Sequence, residues 1–362
     1  MQITVDMLED LAAGAAFLAT GGGGDSYIAC LSARRALQIY GPATLLAPDD
    51  LNPDATVVAL GGVGAPTTSL ELLPSINDGI KVLDAYRALT GRSVDAIVSF
   101  EIGGGNSLFP IVAAAASGLP VIDGDGMGRA LPEAQMMTYA IAGHAATPAV
   151  VLDYKGDAEL VECDDVLTYE RAVRKFAMDR GGMVTSAEFA MTGRELQQCV
   201  VPGTVSLSIA IGKILRAGLG NADQVAVRLD SLFASSIYGE LRNLYSGIVS
   251  DMTTSVVGGF DVGRAVIESL DPGTPALTID IKNEYLVARI GARIVASVPD
   301  LITILDFETA QPISAERLRY GQRVTVLGLG CPAHYRTADA LRAVGPACFG
   351  FEHEFVPIEE LA

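Results

Sequence analysis

The densest polar signal in the chain is Asp123-Gly124-Asp125-Gly126-Met127-Gly128-Arg129-Ala130-Leu131-Pro132-Glu133. Its glycines let the backbone turn sharply and approach a ligand closely. Two aspartates and a glutamate can share proton-transfer work, and Arg129 can grip a carboxylate or a polar ring edge through paired hydrogen bonds. The competing reading is a structural Asx-turn with Arg129 paired to an aspartate. A second signal is Glu101-Ile102-Gly103-Gly104-Gly105-Asn106, a glutamate followed by a glycine turn that leads into a helix. That order suits an anion- or ligand-binding turn. It lacks the Lys-Ser/Thr pair of a nucleotide-phosphate loop and does not fit GxGxxG, and tight helix–sheet packing would also explain its glycines. The third is Thr20-Gly21-Gly22-Gly23-Gly24-Asp25-Ser26. Four consecutive glycines are entropically costly, so a structural or ligand requirement should stand behind them. Asp25 or Ser26 is placed to cap the next helix.

Nucleophile and metal chemistry have fewer candidates. Cys331-Pro332-Ala333-His334, with His353 further on, can in principle ligate zinc, or Cys331 can act as a nucleophile beside His334. A lone Cys-x-x-His is weak evidence, and a small buried hydrophobe is the ordinary role for a free cysteine. Two polar spots interrupt apolar runs late in the chain: Lys282-Asn283-Glu284-Tyr285 and Pro299-Asp300-Leu301-Ile302. Each reads as an ordinary turn unless its domain folds over the glycine loops, since sites often lie between domains.

The elements that must position these residues follow from periodicity. Residues 6–18, 27–40, 78–90 and 107–117 carry helical spacing, with Asp6 as an expected N-cap. Between them, the runs 56–60, 96–100 and 120–122 are apolar on both faces, which indicates a mainly parallel sheet covered on both sides. In such sheets the loops at the carboxyl ends of strands carry the ligand, and Glu101 and Asp123–Glu133 fall there. Residues 165–220 read as helical, chiefly 169–178 and 205–216. From about 245 the period shortens to β-type runs: 256–267, 276–281, 286–290, 294–298, 301–306 and 323–328. The expectation is an N-terminal three-layer α/β domain over 1–165, then a helical segment and a mostly β domain over 166–362.

At 362 residues, the chain is long enough for two cores. It is half apolar and carries a net charge of −18. That balance excludes disorder, and it argues against nucleic acid and anionic membrane surfaces as partners. The five cysteines form no CxxC pair, and no apolar run approaches the roughly 18 residues of a membrane span. With no basic or apolar leader at Met1–Asp6, a cytoplasmic protein is expected. The high mean hydropathy of +0.36 points to a large core or a subunit interface, hence a homo-oligomer.

The order of these segments, together with Asn283-Glu284, Val344-Gly345-Pro346 and Phe349-Gly350, resembles the S-methyl thiohydantoin desulfurase domain family, long catalogued as a domain of unknown function. The resemblance covers nearly the whole chain, and Asp123–Glu133 is its most specific part. It implies two domains, a link to hydantoin and ergothioneine-type catabolism, and hydrolysis of an S-methylated thiohydantoin to a hydantoin with release of methanethiol. In that chemistry Glu101, Asp123 or Asp125 would supply the base and a neighbouring acid would protonate the ring nitrogen. Arg129 would orient a substrate carboxylate, and Gly23, Gly24, Asp25, Gly104, Gly105, Asn106, Glu133, Asn283 and Asp300 would line the ligand. No cofactor is expected on this route. The alternatives are a Cys331 nucleophile, zinc held at Cys331 and His334, and a non-catalytic subunit serving a hydantoinase-like partner.

Overall fold

The computed structural model describes residues 1–64, 75–218 and 220–361. In chain order the first half contains β1 (Gln2–Ile3), α1 (Leu8–Leu18), α2 (Ser26–Tyr40), β2 (Ala43–Leu46), β3 (Thr56–Gly64), α3 (Asp78–Thr90), β4 (Ala96–Ser99), α4 (Phe109–Ser117), β5 (Val121–Asp125), α5 (Thr138–Ile141), β6 (Ala149–Leu152) and β7 (Ala158–Val161). Then come α6 (Val166–Asp179), β8 (Met183–Thr192), α7 (Gly193–Cys199), β9 (Val201–Pro202), α8 (Thr204–Arg216) and α9 (Ala222–Phe233). The remainder is β10 (Arg242–Val257), β11 (Phe260–Ser269), β12 (Leu277–Lys282), β13 (Glu284–Ile290), β14 (Arg293–Ser297), β15 (Leu301–Asp306), β16 (Pro312–Ile313), β17 (Arg323–Leu329) and α10 (Ala338–Val344).

The first sheet runs β1-β2-β5-β4-β3-β8-β6-β7, with β9 paired to β5. Its centre, β2-β5-β4-β3, is parallel, and the flanking pairs are antiparallel. β3 and β4 are buried along their apolar runs, as two-faced coverage requires. The second sheet, β14-β13-β12-β11-β10-β17-β15-β16, is wholly antiparallel, and it curls so that β13 and β14 meet β15. The two sheets define two domains, α/β and mostly β. No helix among the described residues is long and apolar enough to cross a membrane.

Three local readings change. Asp6 does not cap α1, because it lies within a short 3-10 turn, Val5–Met7, that precedes the helix. Residues 183–192 form strand β8, not helix, and join the first sheet beside β3 from beyond residue 165. Ala, Ser and Glu dilute the β signal there, and two-sided burial overrides their local preference. The expected run 256–267 is the tip of a long β10–β11 hairpin turning at Gly258-Gly259. The exposed, polar outer half of β10 hid that strand's length.

The principal core is continuous across both halves: Leu286, Val287, Val298 and Leu301 pack into the same cluster as β3 and β4. A second cluster lies within the β sheet alone. The domains are therefore held together by buried apolar surface, and the loops between them are fixed in place.

Candidate active site between the domains

The carboxyl ends of β3, β4 and β5 open toward the loop joining α1 to α2 and the β12–β13 turn of the second sheet. A hollow of about 670 Å³, counted to its open mouth, lies there, and Glu101, Glu188 and Glu284 all line it.

Glu101 follows β4 directly and is buried. Its Oε1 accepts from Asn106 Nδ2 at 2.6 Å and its Oε2 from the Leu131 amide at 3.1 Å. Asn106 is fixed in this orientation because its Oδ1 accepts from the Gly62 amide at 2.7 Å. Burial pushes the Glu101 carboxyl up to about 8, although both hydrogen bonds favour its charged form. Glu284 begins β13 and is also buried. Its Oε2 has no hydrogen-bond partner among the described residues. Burial, reinforced by the nearby charge of Glu101, raises its carboxyl well above the ordinary range. Glu188, fully buried in β8, accepts from Ser186 Oγ at 2.7 Å and from the Tyr169 hydroxyl. Its Oε1 is unpartnered among the described residues, and burial raises the carboxyl to about 7.

The glycine run Gly21–Gly24 exists to let these surfaces meet. A Cβ on Gly22 would lie 2.0 Å from Glu284 Oε1, and one on Gly23 would lie 2.4 Å from the Gly103 carbonyl oxygen. Loop lies on loop, and the Gly105 and Asn106 amides donate to the Gly24 and Gly23 carbonyls, both at 3.2 Å. The Gly23 and Gly24 amides themselves have no partner among the described residues. Asp25 caps α2, accepting from the amides of Tyr27 and Ile28, and pairs with Arg317.

The structure gives the Asp123–Glu133 segment a different part from the catalytic one expected. The Oδ2 of Asp125 accepts from the amides of Ile102, Met127 and Gly128 at 2.7–2.9 Å, so the carboxylate shapes the loop from beneath and does not line the hollow. Asp123 accepts from the Ser206 amide at the start of α8. Arg129, fully buried, is committed on every side: Nε to the Ala130 carbonyl at 2.9 Å, Nη1 to those of Pro299 and Asp300 at 2.9 and 2.7 Å, and Nη2 to Thr20 Oγ1 at 2.8 Å and more distantly to the Tyr285 carbonyl. It joins the two domains and has no donor left for a substrate carboxylate. Glu133 stands at the rim, paired with Lys282. Burial works to raise its carboxyl, and the Lys282 bond and charge outweigh that and hold it below the ordinary value.

Asp300 is likewise structural, accepting from the Cys331 and Ile358 amides at 2.8 and 2.6 Å. Asn283 sits at φ +58 and accepts from the Asp261 amide at 2.8 Å, which anchors the β12–β13 turn to the β10–β11 tip. Cys331 does not line the hollow. Its thiol is buried, and desolvation followed by the Asp300 charge raises it well above the ordinary value, the opposite of an activated nucleophile. Burial lowers the His334 pKa. His353 meets Ser297 Oγ at 2.8 Å. Among the described residues no group of three His, Cys, Asp or Glu side chains is placed to hold a metal ion.

The cleft thus keeps Glu101, Asn106, Gly23, Gly24, Glu133 and Asn283 from the expected set. It adds Glu188, Tyr169 and Glu284. The mixed stretch Val184-Thr185-Ser186-Ala187-Glu188-Phe189-Ala190-Met191 gave no sequence signal that singled out Glu188. Glu284 was visible as a glutamate heading a β run, without a role.

Comparison with known proteins gives this architecture its kin. Residues 6–163 match the family described as "S-Me-THD-like, N-terminal domain" and residues 163–358 match "S-Me-THD-like, C-terminal domain". The protein belongs to the S-Me-THD-like family. The S-Me-THD-like fold is also that of a crystal structure of a protein from Chromobacterium violaceum, 23% identical, covering 99% of this chain and 100% of that one with a TM-score of 0.83. No curated protein matches the chain. Family membership agrees with the resemblance carried by the glycine loops and Asp123–Glu133, although within this S-Me-THD-like chain those residues mainly build the cleft and leave its acids to other elements.

Proposed function

We propose that the protein is a hydrolase that converts an S-methylated five-membered thiohydantoin ring to the hydantoin and releases methanethiol. The observation that carries this reading is a pair of buried carboxyls, Glu101 from one domain and Glu284 from the other, facing one hollow with both pKa values raised by burial. Carboxyls raised above their ordinary range can hold and deliver protons at working pH.

The roles follow from the hydrogen bonds. Both oxygens of Glu101 accept, so it is the better carboxylate and the base; Glu284 has an unpartnered oxygen and is the better acid. Water attacks the ring carbon that bears sulfur and gives its proton to Glu101, while Glu284 protonates the C=N nitrogen. The adduct then collapses to the carbonyl, its hydroxyl proton returning to Glu284. The C–S bond breaks, and methanethiolate leaves with the proton held by Glu101. The free Oε1 of Glu188 accepts a ring N–H, and the Gly23 and Gly24 amides receive the developing oxyanion.

A thiol-release assay on the purified chain tests the reading, offering S-methyl thiohydantoins and their unmethylated counterparts with and without chelator. Methanethiol release indifferent to chelator is expected. Release abolished by chelator and restored by zinc would replace the carboxylate mechanism with a metal one. No release until a hydantoinase-like partner is added would favour an assembly subunit.

A further inference from the structure

A second hollow adjoins the first, and the two share Gly23, Gly24, Gly62, Asn106 and Met183 in their walls. It runs from the glycine loop outward between α2, α4 and β8, and Ile28, Ala29, Phe109, Val112, Leu152 and Val184 make its sides apolar. We infer that this arm receives the substituent at the ring's C5 position and that it selects an uncharged, apolar one over a carboxylate. The inference rests on the ring-hydrolase reading and specifies its substrate class.

Charge decides against an acidic substituent. The charged side chains among the described lining residues are Asp25, Asp78 and Asp153, and there is no Lys, Arg or His. Two of these aspartates have cationic partners, Arg317 and Arg180, that stand outside the hollow. A substrate carboxylate in the arm would therefore meet acids and apolar walls with no counter-charge among the described residues, which disfavours burial. Arg174 lines the first hollow, but that guanidinium already donates to Glu170 and to the Pro132 carbonyl and lies 4.0 Å over the Phe260 ring. Apolar substituents gain instead: each buried methylene is worth about a fourfold increase in affinity.

Calorimetric binding of the product hydantoins reads the arm without requiring turnover. The set is unsubstituted hydantoin and its 5-isobutyl, 5-(2-carboxyethyl) and 5-(4-aminobutyl) derivatives. The isobutyl compound should bind at least about tenfold more tightly than the unsubstituted ring, and the carboxyethyl compound no more tightly than it. Ser32→Phe, in the arm's wall, should erase the isobutyl gain. Equal affinities, or tightest binding by either charged compound, would overturn the inference, as would a gain that survives Ser32→Phe. Binding as expected without hydrolysis of the matching S-methyl compounds would overturn the proposed reaction and leave the arm standing. Failure of every hydantoin to bind would overturn both.

Discussion

Glu101→Gln separates the proposed chemistry from a purely structural role. The carboxyl titrates near 4.5 when unperturbed and is pushed up to about 8 in the fold. Between those values the folded state keeps a proton that the unfolded chain has released. Its stabilising contribution is therefore fully present below pH 4.5 and falls as pH rises through the window, by about 1.4 kcal/mol per pH unit and about 5 kcal/mol in all. Glutamine is neutral throughout and removes that slope. It also replaces one of the two accepting oxygens with an amide, so either Asn106 Nδ2 or the Leu131 amide loses its acceptor. That loss costs about 1–3 kcal/mol at every pH. The two effects oppose one another near neutrality, so the slope is the quantity to measure. Urea unfolding from about pH 5 to about pH 8 should show the variant gaining on the wild type by about 4 kcal/mol across the range. Turnover should fall by about 10²–10⁴-fold at every pH. A stability difference that stays flat with pH would refute the burial argument, and retained turnover would refute the assignment of the base.

Arg129→Lys should destabilise the protein by about 3–5 kcal/mol, since an ammonium cannot replace a guanidinium fork that reaches acceptors on both domains; a raised KM with an unchanged urea midpoint would instead mean that Arg129 holds substrate. Gly22→Ala puts a Cβ 2.0 Å from Glu284 Oε1, so kcat should drop at least about tenfold as the acid is displaced, and wild-type kcat would show that Glu284 does not act from this position. Cys331→Ala should keep turnover within about twofold, because its thiol is buried away from the cleft. Mass spectrometry of wild-type protein quenched during turnover should show no attached substrate, and an adduct on Cys331 would overturn the water-attack mechanism.

How far the sequence spoke depended on how local each signal was. The strands β3, β4 and β5 were legible because burial on both faces writes continuous apolar runs, and Glu101 was legible because it stands at the carboxyl end of one of them. The Asp123–Glu133 loop announced itself by polar density. Density alone does not distinguish residues that face a ligand from residues that hold a buried loop in shape, and Asp125 and Arg129 do the latter. Glu284 required knowing that the β domain folds back onto the glycine loop, a contact between residues more than 250 positions apart. Glu188 required recognising β8, whose Ala, Ser and Glu residues read as helix until β3 pairs with it. The glycines were legible as costly and not as to purpose: Gly22 and Gly23 admit a carboxyl and a neighbouring loop.

Arg129 shows why domain docking and chemistry are one problem here. Its charge is met by carbonyl dipoles and a hydroxyl, with no ion pair among the described residues. A cation so placed keeps its field. Burial raises both groups; against it, Glu101 is drawn down first by its Asn106 and Leu131 hydrogen bonds and last by the Arg129 charge, while Glu284, raised further by the Glu101 charge, is drawn down by Arg129 and then Lys282. Burial alone would push both carboxyls higher still and leave the cleft with less ionised base. Exposure to water would return both toward ordinary acidity and leave it without an acid. The poise between those limits exists only while the two domains close over the carboxyls, and the guanidinium that ties Thr20 and Ala130 of one domain to Pro299 and Asp300 of the other contributes to both the closure and the field. A site built this way carries its acid–base pair at the expense of stability, since each carboxyl held neutral in the fold favours unfolding as the pH rises. The continuous apolar core beneath the cleft offsets that penalty.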